Sequence, residues 1–230
     1  MRASLLEQTV TDSTHTRIAK PARLYVGFLE HYYTIHVVDG DQRLRYLQSE
    51  ARADSLSATI RSVQEDPWTR DSLSQSSVTS SEHATLVPAP FYHEDLSRAY
   101  AQLNFGALDD QVVLSNYLPQ AKAYLVFTLS QACYKQYQQA GLQQHYHIAT
   151  PWLAGILTQF QSAAKPVLCF DVEDPLLRVA VVDQGSLAFF NTFSIAGSAD
   201  LLYYLIKVAR SCGLNPHKDA FYGSGLIFQG

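Results

Sequence analysis

The sequence predicts an α/β protein with mixed sheets, in which one order of elements occurs twice: three antiparallel strands, a helix, then a further strand. Spacing of β-rich runs predicts the first cycle. RLYVGFLE (23–30), YYTIHVVD (32–39) and QRLRYLQ (42–48) follow one another almost without interruption, and Asp39-Gly40-Asp41 between the last two is a strong hairpin signal. The same pattern returns from Pro166 as PVLCFDV, LLRVAVVD and SLAFFNTFSI, with Asp183-Gln184-Gly185 at its second turn. Each triplet leads into a segment of helical periodicity and then another strand candidate. Such a repeat outlines a duplicated ribonuclease-H-like unit.

In order along the chain, residues 1–22 are a polar lead-in to the first triplet. DSLSATIRSVQED (54–66) places Leu56, Ile60 and Val63 at helical spacing, and Asp66-Pro67 ends that helix. The Ser-rich stretch 69–81 predicts a loop with one short strand, and HATLVPAP (83–90) a strand stopped by prolines. HEDLSRAYAQLNF (93–105) predicts a helix with Leu96, Tyr100 and Leu103 on its apolar face. QVVLSNYL (111–118) and KAYLVFTL (122–129) are strands flanking Pro119, residues 131–140 a helix closing at Gly141, and HYHIA (145–149) a short strand. Pro151 suits the first position of a helix that runs to Gln161. In the second cycle, the helix Ser198–Cys212 carries Leu201, Leu205, Val208 and Cys212 on one stripe and Leu202, Ile206 and Ala209 on the next. Lys207 and Arg210 lie on its polar face near the last turn, where the helix dipole favours cations, and Gly213 and Pro216 stop it. DAFYGSG supplies the closing strand. The expected division is a first subdomain over 23–163 and a second over 164–230, the plan of actin-like proteins.

Composition narrows the function classes. With 47% apolar and 17% charged residues over 230 positions, the chain can bury a sizeable core. The net charge is −4, and between Ala99 and Ala164 the only Lys or Arg residues are Lys122 and Lys135, so nucleic acid is not an expected partner. No run approaches the roughly 20 apolar residues of a membrane span, and the N-terminus lacks a signal-peptide core; a cytoplasmic protein is expected. Cys133, Cys169 and Cys212 are widely spaced within apolar segments and read as small buried hydrophobes.

LVPAPFYHEDLSRAYAQLNF, followed downstream by LAFFNTFSIAGSADLLYYLIKVARSCGLNP and FYGSG, resembles the bacterial family called domain of unknown function 3822, from about Arg23 to the C-terminus. The resemblance implies an actin-like ATPase fold of unassigned activity, related more distantly to the pilus-assembly and cell-division branch of that fold. Family members continue with a further helix and strand past the position of Gly230, so the resemblance implies either a shortened chain or a second subdomain that lacks its last helix and strand.

Active actin-like proteins hold phosphates in two hairpin turns, each an Asp followed by Gly and small hydroxyl residues, since a bare backbone brings its N–H groups against the triphosphate. The first hairpin here, GFLEHYY (27–33), has Leu29, Glu30, His31 and Tyr32 at its tip. In the second, FDVEDPLL (170–177), Asp171 matches the motif's acid, but Glu173, Asp174 and Pro175 replace Gly and Thr and set two carboxylates toward a phosphate. Tyr222-Gly223-Ser224-Gly225 resembles the adenosine-contacting glycine turn of the fold, and Ala196-Gly197-Ser198 corresponds to a strand-to-helix junction beside the cleft. Should a nucleotide bind, Asp171, Gly197, Gly223, Ser224 and Gly225 are its candidate contacts. The favoured expectation is a non-catalytic binding or scaffold protein without cofactor or catalytic residue, meeting a protein partner through His31 and Tyr32; Tyr33 beside them reads equally as core. The alternative is a phosphotransferase or ATPase using Mg·ATP, and a peripheral role in a membrane assembly follows by analogy with the pilus branch. His145 and His147 share a strand face without a third ligand at zinc-site spacing. Asp171, Glu173 and Asp174 invite comparison with two-metal nucleases, and Ser224 with a nucleophile turn, but each lacks the partners that chemistry needs.

Overall fold

In the first sheet, apolar residues alternate along the central strand as a half-buried sheet requires: Tyr33, Ile35 and Val37 of β3 (Tyr32–Val38) are buried while Tyr32, Thr34 and His36 are partly exposed. The computed structural model describes residues 10–11, 23–29, 32–39, 41, 44–51, 55–66, 74–216 and 218–225. Strand β3 pairs antiparallel with β2 (Arg23–Phe28) and with β4 (Leu44–Ala51). From the polar lead-in, β1 (Val10–Thr11) adds to the β4 edge. On the other side β5 (Ser74–Thr79) and β9 (Gln144–His147) continue in parallel, giving the order β1-β4-β3-β2-β5-β9. Helix α1 (Leu56–Glu65) starts at Ser55, whose hydroxyl accepts from the Ala58 N–H, and buries Ile60 and Val63. After β8 (Ala123–Ser130), Ser130 caps α3 (Gln131–Gln139) in the same way, and Tyr137 of that helix stacks on Phe28 at 4.7 Å.

Contacts gather the chain into two units, one drawn from residues up to 80 together with 129–148, the other from 81–128 and 149–230. The units therefore interleave along the chain and differ from two blocks meeting between 163 and 164. The cause is long-range pairing: β9 returns to lie parallel to β5, with Ser76 opposite Gln144 and Thr79 opposite His147.

In the second unit β10 (Val167–Glu173), β11 (Leu176–Asp183) and β12 (Ser186–Ser194) form an antiparallel series, and β13 (Phe221–Gly225) joins β10 in parallel; the order is β12-β11-β10-β13. Gln184 and Gly185, both at positive φ, make the turn between β11 and β12. Strand β11 is buried without a break from Leu177 to Val182, the pattern of a strand covered on both faces. Helix α5 (Ser198–Ser211) packs there with Leu201, Tyr204, Leu205, Val208, Ala209 and Cys212. Leu202, expected on the covered stripe, is 59% exposed; Tyr204 is turned inward instead, stacked on Phe193 at 4.3 Å.

A second sheet of this unit orders β6 (Ala84–Pro88), β8 and β7 (Gln111–Leu118). Helix α2 (Ser97–Phe105) covers it with Ala101, buried among Val87, Leu108 and Val126, and with Tyr100 and Phe105. The expected face of Leu96, Tyr100 and Leu103 is not the core face, since Leu96 is 48% and Leu103 86% exposed. Short 3₁₀ turns at Ala89–Phe91 and Glu94–Leu96 lead into α2, so the helix begins later than the periodicity suggests and its inward stripe passes through Ala101 and Phe105. Helix α4 (Ala149–Gln159) also departs from expectation, starting ahead of Pro151.

Candidate functional site

The hairpin β10–β11 turns through Asp174 and Pro175, joined by a cis peptide bond, with Glu173 opposite Leu176. This two-residue turn fixes the register back along the strands, and Asp171 falls directly opposite Arg178. Side chains two apart share a face, so Glu173 stands diagonally across from the same arginine. Arg178 is fully buried; its Nη1 donates to Asp171 Oδ2 at 2.7 Å and its Nη2 to Glu173 Oε2. The other oxygen of Asp171, Oδ1, accepts from the Ser224 hydroxyl at 2.7 Å. Ser224 arrives there because β13 lies parallel to β10 with Ser224 opposite Asp171. The outcome is a chain of charge-assisted hydrogen bonds running from Glu173 through Arg178 and Asp171 to Ser224.

Both glycines beside Ser224 have packing reasons. A Cβ on Gly223 would lie 2.5 Å from the ring of Phe170, and one on Gly225, at φ +92°, would lie 2.0 Å from the Val172 carbonyl oxygen. Gly197 precedes α5 in extended backbone with open space around it. Its junction is tied to the hairpin: the Ile195 N–H donates to the Pro175 carbonyl at 2.8 Å, and Asp200 accepts from the Ala196 N–H at 2.8 Å.

In the other hairpin, β2–β3, Leu29 at the tip is buried and its N–H donates to the Tyr32 carbonyl at 3.0 Å. Tyr33 is core, its hydroxyl donating to Glu50 Oε2 at 2.5 Å, so the aromatic tip reduces to a partly buried Tyr32. His31 lies outside the described residues. On β9, His145 Nδ1 lies 2.7 Å from the Ser77 hydroxyl, and His147 is fully buried. Burial pushes the Cys169 thiol up to about 11, as expected of a structural cysteine.

The family model described as a protein of unknown function, DUF3822, matches residues 48–230. The chain belongs to this family. Comparison with proteins of curated function gives no match. Among solved structures, this DUF3822 chain is similar to a Bacteroides thetaiotaomicron protein with an actin-like ATPase fold and unknown function. The TM-score is 0.83 at 16% identity, covering 92% of this chain and 84% of that one. It is also similar to a structure of the PilM–PilN type IV pilus biogenesis complex, with a TM-score of 0.52 at 13% identity over 84% of this chain and 66% of the other. At these identities the likeness establishes the fold, an actin-like ATPase fold. No helix among the described residues is long and apolar enough to cross a membrane.

Of the residues singled out from the DUF3822 sequence, Asp171, Gly223, Ser224 and Gly225 come together at the β10–β13 pairing, and Gly197 lies at the junction tied to the same hairpin. Two expectations are corrected. Glu173 does not face a phosphate: it is buried and held by Arg178, leaving Asp174 as the exposed carboxylate of the turn. The glycine motif makes no separate turn: it lies within β13, the strand that DAFYGSG was expected to supply. Arg178 was missed. Its signal is a lone cation in the apolar run LLRVAVVD, and counting back from the Asp174-Pro175 turn puts it opposite Asp171.

Proposed function

We propose that this chain is a non-catalytic actin-like protein, a cytoplasmic binding or scaffold module that acts through a protein partner and carries no resident nucleotide or metal. The two sheets share one local order, the first strand antiparallel to the second and parallel to the fourth, and we take this as the mark of a duplicated ribonuclease-H-like unit whose cleft has lost its phosphate chemistry.

The observation that carries the proposal is Arg178. In a working site of this fold, an acid at the position of Asp171 serves a magnesium-bound triphosphate. Here each Asp171 oxygen already accepts a hydrogen bond, one from a buried guanidinium and one from Ser224. A divalent cation would have to displace or share with a fixed positive charge, and a double charge near 4 Å from a single one repels it by about 8 kcal/mol at an effective dielectric of about 20. The loop also fits a phosphate poorly: Pro175 has no N–H to offer, and the close sides of Gly223 and Gly225 face Phe170 and Val172 rather than a ligand cavity. These residues do not fit Mg·ATP. The PilM–PilN complex lends support by fold analogy to a role exercised through protein contacts.

Calorimetric titration and thermal shift with Mg·ATP test this. A ligand at about 100 times its Kd stabilises by about 2.7 kcal/mol, several degrees in Tm for a chain of this size. We expect no binding heat and an unmoved Tm. Tight Mg·ATP binding that Asp171→Asn abolishes would replace the scaffold with the phosphotransferase or ATPase alternative.

A further inference from the structure

On the outer face of α2, apolar side chains gather where a covered face was expected. Leu96 closes the 3₁₀ turn ahead of α2, and Tyr100 and Leu103 of the helix follow it by four and seven residues; Tyr100 is half-buried, one side of it packed toward the Ala101 cluster. The backbone at Phe91 is tied to α2 through Tyr100, whose hydroxyl donates to the Phe91 carbonyl at 2.6 Å and accepts from the His93 N–H at 3.2 Å. The patch is thus held in shape, yet Phe91 is 70% exposed and Leu103 more so. Single exposed leucines need no explanation, but a contiguous group on a structured support does.

Charge says what would cover it. From residue 82 to residue 122 the chain carries Glu82, Glu94, Asp95, Asp109 and Asp110, all exposed, against Arg98 and Lys122 alone. Glu94 and Asp95 immediately precede Leu96. Arg98, the single cation of α2, is turned to the following loop, where its Nη2 donates to the Leu108 carbonyl at 2.9 Å and its Nη1 to that of Gln111 at 3.4 Å. The exposed Leu202 and Tyr203 of α5 differ, since Lys207 of the same helix already lies 5.4 Å from the Tyr203 ring.

We propose that the α2 face of Phe91, Leu96, Tyr100 and Leu103 is a docking surface for a basic amphipathic helix of a partner protein. Apolar residues of that helix at i, i+3, i+4 and i+7 cover the apolar side chains, and its Lys or Arg residues meet Glu94 and Asp95 beside Leu96. The inference deepens the binding role proposed above, on which it rests for its biological sense.

The test uses the full chain and a fluorescein-labelled helical peptide with Leu at the i, i+3, i+4 and i+7 positions and Lys elsewhere, beside a matched peptide with Glu in place of Lys. Fluorescence anisotropy should show saturable binding of the Lys peptide only. Binding should weaken about tenfold or more in a Phe91→Ser, Leu103→Ser double variant and at about 0.5 M salt, where the screening length falls to a few ångströms. It should be unchanged in Leu202→Ser. Because Phe91 and Leu103 point into solvent, the double variant keeps the wild-type melting curve, which circular dichroism checks. The proposal is overturned if the Glu peptide binds as well, if the double variant binds the Lys peptide like wild type, or if no binding occurs. It is likewise overturned if sedimentation shows a dimer that Leu103→Ser dissolves, which would make the occupant a second copy. Nucleotide titration is separate: Mg·ATP binding with peptide binding intact removes the scaffold reading and keeps this surface, while loss of peptide binding alone removes only this surface.

Discussion

At the scale of single residues, Arg178 decides the character of the β10–β11 hairpin. A buried guanidinium is tolerated because Asp171 and Glu173 flank it on the opposing strand, and both carboxylates are ordered by the same register. Removing one member leaves the others uncompensated away from water. Arg178→Met is therefore expected to lower unfolding stability by about 3–5 kcal/mol, the range for a broken buried pair. Replacing the set together, with Asp171→Asn and Glu173→Gln added, should recover a substantial part of that loss, since neutral groups carry a smaller desolvation penalty. Urea midpoints of the single and triple variants measure the difference. A triple variant weaker than Arg178→Met would mean that the carboxylates do not depend on the arginine. The same side chain was open to discovery from sequence: an Asp-Pro pair between two apolar runs specifies a tight turn, and the turn specifies who stands opposite whom. What periodicity alone leaves out is which cross-strand pairs carry charge, because a lone Arg in a strand reads equally as an edge residue.

At the scale of elements, strands were legible, while helix faces were legible only in part: the inward residues of α1 and the Leu201–Leu205–Val208–Cys212 stripe of α5 were, and the face of α2 was not. The β-rich runs at 23–48 and 166–195 fold as two antiparallel triplets because their signals are local: β-branched and aromatic residues, and turns such as Gln184-Gly185 that need positive φ. Helix phase depends on neighbours that the local pattern does not contain. In α2 the 3₁₀ turns ahead of Ser97 displace the start, and Ala101, not Leu103, meets the sheet. In α5 two apolar stripes compete, and Phe193 selects the one containing Tyr204. This makes the two leucines of α5 unequal. Leu205 packs on the cluster of Leu168, Leu177 and Val179, so Leu205→Ala should cost about 2 kcal/mol, the low end for a buried truncation. Leu202→Ala removes an exposed side chain and should stay within about 0.5 kcal/mol of wild type. Equal denaturant midpoints for the two variants would contradict this assignment of faces. The glycines of β13 follow a related logic: their presence was legible, but their purpose, making room for Phe170 and Val172, emerges only when β13 is laid against β10.

For the molecule as a whole, the interleaved units were beyond local reading because parallel pairing between β5 and β9 joins residues nearly 70 positions apart. That pairing places His145, and the β2–β3–β4 triplet places His36, where burial couples the first unit's stability to pH. Burial holds the His36 imidazole below its ordinary value, with its Nε2 3.0 Å from the Thr34 hydroxyl, and does the same to His145 beside Ser77. In the unfolded chain both titrate near their ordinary value of about 6.5. At pH 8 neither state binds a proton at these sites, and their contribution to stability is flat. As pH falls below about 6.5 the unfolded chain takes up protons that the folded chain still refuses, so stability declines, by at most about 1.4 kcal/mol per pH unit for each histidine. The decline ends once pH passes below the lowered folded values and both states are charged. Urea unfolding of the full chain between pH 8 and pH 5 should therefore show a plateau followed by a fall. His145→Gln, which keeps a polar partner for Ser77 but cannot charge, should make the fall shallower. A midpoint that holds constant or rises from pH 7 to pH 5, or a slope that His145→Gln leaves untouched, would show that these imidazoles do not couple the first sheet to acid.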